Sequence, residues 1–166
     1  MLFRLAQSAD LPALKRLVES AYRGEAARAG WTNEADLIQG ERISASDLAA
    51  TIAAPTNRVV VAEAGEALVA TVTITDKGEG TAYLGMLGVD PARQADGLGR
   101  ALIAEGEAVA RRDFGATVME MTVISARPEL IAYYERRGYA RTGEARPFPD
   151  PAITHLDMVV LAKPLG

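Results

Sequence analysis

Apolar and polar positions follow two periods along this chain, and the places where the period changes divide it into eleven elements. Leu2 to Ala6 is a short strand candidate. Ser8 and Asp10 then offer caps, Pro12 suits a first helical turn, and Leu14, Leu17, Val18 and Ala21 share one face. That pattern predicts a helix ending near Tyr22-Arg23-Gly24. The following stretch, AARAGWTNEADLIQGERIS, is less periodic and is expected to hold one short helix in a mobile excursion. Ser46-Asp47 caps a small helix, Leu48 to Ala54, which Pro55 closes. Arg58 to Glu63 and Glu66 to Thr75 are β-rich runs joined around Ala64-Gly65, a hairpin signal.

Asp76-Lys77-Gly78-Glu79-Gly80 reads as a second turn, and Tyr83 to Val89 as the next strand. Asp90-Pro91 stops it, because proline has no N–H for a sheet ladder. Arg100 to Arg112, rich in alanine, leucine and glutamate, is a long helix punctuated by Gly115, and Thr117 to Ile124 is a buried strand. Glu129 to Arg137 is a helix with Pro128 at its start and Gly138 at the left-handed position that closes it. Tyr139 onward is extended, Pro147 to Pro151 is a rigid loop, and Leu156 to Leu161 is a last strand. The order β, α, α, β, β, β, α, β, α, β, β has no repeat and no low-complexity linker. It predicts one α/β domain over residues 1–166 with a mixed sheet, antiparallel in its front half. The central β-α-β crossover should set strand 83–89 parallel to strand 117–124.

Between strand and long helix lies Gln94-Ala95-Asp96-Gly97-Leu98-Gly99. Gly97 and Gly99 let the backbone approach a ligand closely, and the loop opens onto a helix N-terminus. There the first N–H groups lack intrahelical partners and the macrodipole favours negative charge. A pyrophosphate suits such a cradle. It is not a Walker loop, since Gly99-Arg100-Ala101 replaces the required Lys-Ser or Lys-Thr, and it lacks the third glycine of a dinucleotide fingerprint.

Composition narrows the partners. With 49% hydrophobic and 24% charged residues among 166, the chain has the balance of a globular protein. A net charge of −4 argues against nucleic acid as a partner. No cysteine means no thiol nucleophile and no thiolate metal site, and the single histidine, His155, removes multi-histidine metal sites and most Ser-His triads. No metal is therefore expected. No signal segment or 18-residue apolar span is visible. The expectation is a soluble, cytoplasmic protein with no membrane partner.

The Gln-x-x-Gly-x-Gly loop resembles the acyl-CoA loop of the GCN5-related N-acetyltransferase (GNAT) superfamily. A second segment, ELIAYYERRGY from Glu129 to Tyr139, is similar to that family's helix ending Tyr-Glu-x-x-Gly-aromatic. The two segments cover residues 83–139, and the order of elements agrees over the rest. The resemblance implies the acyl-CoA N-acyltransferase fold: a mixed, mostly antiparallel central sheet flanked by helices, with a splayed parallel strand pair. It implies acetyl-CoA as co-substrate, an amine acceptor and direct transfer in a ternary complex. The absence of cysteine and of a good triad also disfavours a covalent acyl-enzyme.

Carried over residue by residue, the resemblance implies a cofactor site formed by Leu87, Gly88, Val89, Gln94, Ala95, Asp96, Gly97, Leu98, Gly99, Arg100 and Arg127. Backbone N–H groups near Leu87 to Val89, exposed by the splay, would polarise the thioester carbonyl as in an oxyanion hole. Tyr134 would be the general acid, since a phenol with a pKa of about 10 is protonated at neutral pH and can give its proton to a leaving thiolate. Its neighbour Tyr133 is expected to pack on the sheet as the core aromatic. Residues 82–89 carry none of the acid many relatives place there. Glu120, flanked by Met119 and Met121, could face the cleft as base or amine-binding group, or point to the other face and be satisfied by Arg or Tyr. A chain of waters is a third option for the base.

Trp31, Glu34 and Asp36, with Glu25, are candidates for the acceptor side. Trp31 would otherwise staple its loop, and the acids would form a solvated face. The loop departs from the family at Ala95 and Asp96, and Asp96 should weaken pyrophosphate binding by like charge unless its side chain points away or Arg93 or Arg100 screens it. Arg127 stands where the family often has asparagine. The alternative to an enzyme is a non-catalytic acyl-CoA sensor of the same fold. A homodimer through the C-terminal strands is implied by the resemblance alone.

Overall fold

The computed structural model describes residues 1–28, 44–148 and 156–166. Seven strands form one sheet in the order β1-β2-β3-β4-β5-β7-β6. They are β1 (Leu2–Leu5), β2 (Asn57–Ala64), β3 (Ala67–Gly78), β4 (Thr81–Val89), β5 (Val118–Ile124), β6 (Ala140–Pro147) and β7 (Asp157–Pro164). The described helices are α1 (Leu11–Arg28), α2 (Ala45–Ala53), α3 (Leu98–Phe114) and α4 (Pro128–Arg136). This is the mixed α/β architecture expected, with β4 and β5 as the one parallel pair. Among the described residues no helix is long and apolar enough to cross a membrane.

The long helix and the last strand run a few residues past the expected ends, Leu98–Phe114 and Asp157–Pro164, and three further boundaries differ for a local reason. Helix α1 runs through Gly24 to Arg28, because Glu25-Ala26-Ala27-Arg28 are strong helix formers and one interior glycine costs only about 1 kcal/mol. Helix α2 is capped by Ser44 rather than Ser46-Asp47, its hydroxyl accepting from the Asp47 N–H at 3.1 Å. Strand β3 continues through Asp76 and Lys77 to Gly78. The hairpin instead turns at Glu79 and Gly80, both at positive φ (56° and 82°), which matches the twist of the strands it joins. Gly65, Gly97, Gly115 and Gly138 all hold the left-handed conformation at the turns and caps read for them.

Two cores lie on opposite faces. Helices α3 and α4 cover one with Leu98, Leu102, Ile103, Val109 and Ile131 against Val60, Val72, Ile74, Leu84, Met119 and Met121. On the other, α1 and α2 place Leu14, Leu17, Val18 and Leu48 against Val59 and Val61. Helix α1 also comes so close to β4 that a Cβ on Gly88 would lie 3.0 Å from the Ala21 Cβ. Gly88→Val should therefore lower stability by about 2–3 kcal/mol in urea unfolding, whereas an unchanged midpoint would show that α1 can move off the strand.

The β4–β5 pair opens into a fork. Its register ends after Thr81↔Val118, Ala82↔Met119 and Tyr83↔Glu120. Beyond Tyr83, β4 holds on to β3 while β5 departs with β7. A bulge reinforces the separation: Thr73 faces Gly85 and Thr71 faces Gly88, so β4 has one residue more than β3 between them. Met86 takes positive φ there (49°) and packs with the α1 side of the core.

Candidate active site

The fork, the glycine loop and α4 converge on one region. The Asp90 N–H donates to the Val69 carbonyl at 2.8 Å, so the antiparallel ladder turns Gly88 toward β3 and Val89 away from it. The Val89 N–H thus faces the side from which β5 has departed. A donor in that position suits a carbonyl inserted between the strands. Of Leu87, Gly88 and Val89, the alternation excludes Gly88, and Val89 is the one whose direction the ladder fixes, Leu87 lying in the bulge.

After Val89, Asp90 caps a 3-10 turn, Pro91–Asp96, by accepting from the Ala92 N–H at 3.0 Å. The backbone of Gln94, Ala95 and Asp96 lies in that turn, and their side chains are outside the described set. Gly97 then opens α3 at φ 73°. Leu98 is buried in the core, so only its backbone can serve a ligand. A Cβ on Gly99 would lie 3.1 Å from the Tyr133 hydroxyl and 3.8 Å from Val89 Cγ2. That glycine is the space in which strand, helix start and α4 meet. Trp31, Glu34, Asp36 and His155 lie outside the described residues, as does the side chain of Glu25.

Both tyrosines of α4 pack at the core, Tyr133 as expected and Tyr134 deeper still. Tyr134 is only 8% exposed and belongs to the core, while Tyr133 is half-buried over Gly99 with the Arg137 guanidinium 4.9 Å from its ring centre. Tyr134 stands edge-on between Tyr133 (5.3 Å) and Tyr139 (6.4 Å). Tyr139 is fixed by its own bond to Glu107 Oε2 (2.8 Å), and Lys163 Nζ holds that carboxylate at 3.0 and 3.1 Å. Burial first, and the Glu107 charge second, push the Tyr139 phenol far above its ordinary value, so it stays a donor. Arg127 is buried at the start of α4 with Nε 2.9 Å from Glu129 Oε1.

Arg100 is exposed and lines a groove of about 240 Å³ between α3 and α4, with Glu107, Arg136, Arg137 and Lys163. Sequence reasoning missed Arg136 and Arg137. Their signal was present in the Arg-Arg pair between Tyr134 and Gly138, which reaches the groove beside Arg100 only once α4 is folded back.

The opposite face of the fork carries a larger cavity, about 380 Å³, lined by Thr75, Lys77, Tyr83, Thr122, Arg146, Pro147 and Met158. Tyr83 lies over Gly85 and shares a 2.6 Å hydrogen bond with the Thr122 hydroxyl, bridging β4 to β5 where they part. Glu120 alternates with the buried Met119 and Met121 and so shares the face of Thr122. Arg146 reaches across β7 and sets Nη2 3.0 Å from Glu120 Oε1, with Nε 2.6 Å from Glu144. That Glu120 oxygen is buried without a well-directed hydrogen bond. Glu120 thus shares the face of the cavity and is ion-paired there to Arg146. None of Lys77, Tyr83, Thr122 and Arg146 was legible as a site residue, because they come from four strands.

The family model of the acetyltransferase (GNAT) family matches residues 17–139. Among solved structures, the ribosomal-protein-S18-alanine N-acetyltransferase of Escherichia coli superposes with a TM-score of 0.76 at 19% identity, over 99% of this chain and 94% of the other. The PaiA N-acetyltransferase of Thermoplasma acidophilum, in complex with coenzyme A, gives 0.75 at 15% identity over 98% of each chain. YncA of Salmonella typhimurium, solved with its cofactor acetyl-CoA, gives 0.73 at 22% identity over 100% of this chain and 94% of the other. No curated protein matches the chain.

Proposed function

The chain belongs to the acetyltransferase (GNAT) family, and from that premise we propose that it moves the acetyl group of acetyl-CoA directly to a primary amine. The observation that carries this is the fork. The parallel pair ends at Tyr83↔Glu120, the Val89 N–H faces the gap, and the glycine loop opens α3 beside it. A pantetheine arm laid in the gap would complete the broken edge of β4. Its pyrophosphate would meet the loop and the first N–H groups of α3. Arg100, Arg136 and Arg137 would oppose its phosphates from the groove between the helices.

The chemistry then follows from the residues at hand. The amine nitrogen attacks the thioester carbon, and the Val89 N–H stabilises the oxygen as it gains charge. The C–S bond breaks, and Tyr134 gives its phenolic proton to the departing sulfur. Glu120, at the last paired position of the fork, receives the ammonium proton by way of the cavity. The second reading, a sensor that binds acetyl-CoA without turnover, draws on one observation: Arg146 already holds Glu120.

Initial velocities over a grid of both substrates test direct transfer. Intersecting double-reciprocal lines are expected. Parallel lines, with an acetylated protein detected by mass spectrometry, would contradict it and show an acyl-enzyme.

A further inference from the structure

The cavity across the fork from α3 sits where an acceptor must arrive, and its lining says something about that acceptor. Its volume, about 380 Å³, falls at the small end of the roughly 300–1,000 Å³ range of small-molecule sites. Two cations face it from opposite walls, Lys77 on β3 and Arg146 on β6. The carboxylates beside it, Glu120 and Glu144, are both engaged by Arg146. Lys77 has no acidic partner among the described residues; its ammonium lies 5.7 Å from the centre of the Tyr83 ring. On the same face of β3, Thr73 is 6% exposed and its hydroxyl has no hydrogen-bond partner among the described residues, while the neighbouring Thr75 donates to Asn57 Oδ1 at 2.8 Å. The Thr73 hydroxyl shares the face of Thr75 and Lys77, which line the cavity.

A polyamine or an aminoglycoside would bring a second ammonium against Lys77 and Arg146, with no acid left unengaged to receive it among the described residues at the cavity. An acceptor bearing one amine and one anionic group fits better. Its amine can reach the fork while its anion lies between the two cations.

Building on the acetyl-transfer reading above, we propose that the acceptor is an amine carrying a carboxylate, of amino-acid class, and that Lys77 and Arg146 hold the carboxylate across this cavity. Lys77 is exposed, so its replacement leaves folding intact. The test measures thiol release from acetyl-CoA with free amino acids, their amides and the matching decarboxylated amines, on wild type, Lys77→Met and Arg146→Met. Acetyl-CoA affinity is followed in parallel by calorimetry. The expected result is a kcat/KM at least about tenfold higher for one or more amino acids than for the matching amide and amine. Lys77→Met should raise KM for that amino acid about tenfold, leave kcat and acetyl-CoA affinity alone, and leave the amide unaffected. Equal rates for acid, amide and amine, a preference for polyamines, or a Lys77→Met enzyme unchanged on the amino acid would each overturn the proposal while leaving acetyl transfer standing. No binding of acetyl-CoA at all would overturn both.

Discussion

Tyr134→Phe lowers kcat by about a hundred-fold, because the departing thiolate loses its proton donor while the ring and its packing remain. The ring is 8% exposed and clasped edge-on by Tyr133 and Tyr139, so phenylalanine keeps those contacts. Stability should change by about 1 kcal/mol, the worth of one hydroxyl. Acetyl-CoA affinity should stay within about twofold, since the phenol matters only as charge builds on sulfur. Stopped assays under saturating acetyl-CoA, with calorimetry for affinity, separate these quantities. An unchanged kcat at equal affinity would transfer the acid role to water.

Gly99→Val is the second large effect, and it acts on binding. A Cβ here already meets the Tyr133 hydroxyl at 3.1 Å and Val89 Cγ2 at 3.8 Å, and branching adds two methyl groups in the same space. The start of α3 must then move away from β4, taking its N–H groups out of line with the fork. Acetyl-CoA affinity should fall by about a hundred-fold or more, with a stability loss of about 1–3 kcal/mol from overpacking. Gly99→Ala should lie between, since Tyr133 is half-buried and can yield by a few tenths of an ångström. Wild-type affinity in Gly99→Val would place the cofactor elsewhere than on this loop.

What the sequence could disclose follows the range over which its signals act. Glycines at left-handed positions, Pro91 after β4 and Pro128 at the start of α4 are local decisions, and they located the turns and caps to within a residue or two. The β-α-β crossover fixed the parallel pair, because a right-handed connection through α3 allows little else. Gly24 misled at the end of α1, where the helix formers after it outweigh its cost. The deeper burial of Tyr134 was also hidden. Adjacent residues on a helix differ by about 100° in direction, and which one points inward depends on how α4 lies against α3.

The cavity on the far face of the fork was the least visible part. Lys77 stood in the expected turn, Arg146 in the extended stretch after Tyr139, and Tyr83 and Thr122 in expected strands. Their meeting depends on β7 inserting between β5 and β6, so that Arg146 reaches over β7 to Glu120. No local pattern specifies that strand order.

Free-thiol release from acetyl-CoA across a panel of amines shows whether this fork passes an acetyl group to an amine. Release should require one class of amine, yield its acetylated product in equal amount, and fall in Tyr134→Phe. Acetyl-CoA that binds and protects the protein against heating, yet releases no thiol with any amine, would contradict acetyl transfer and leave the sensor in its place.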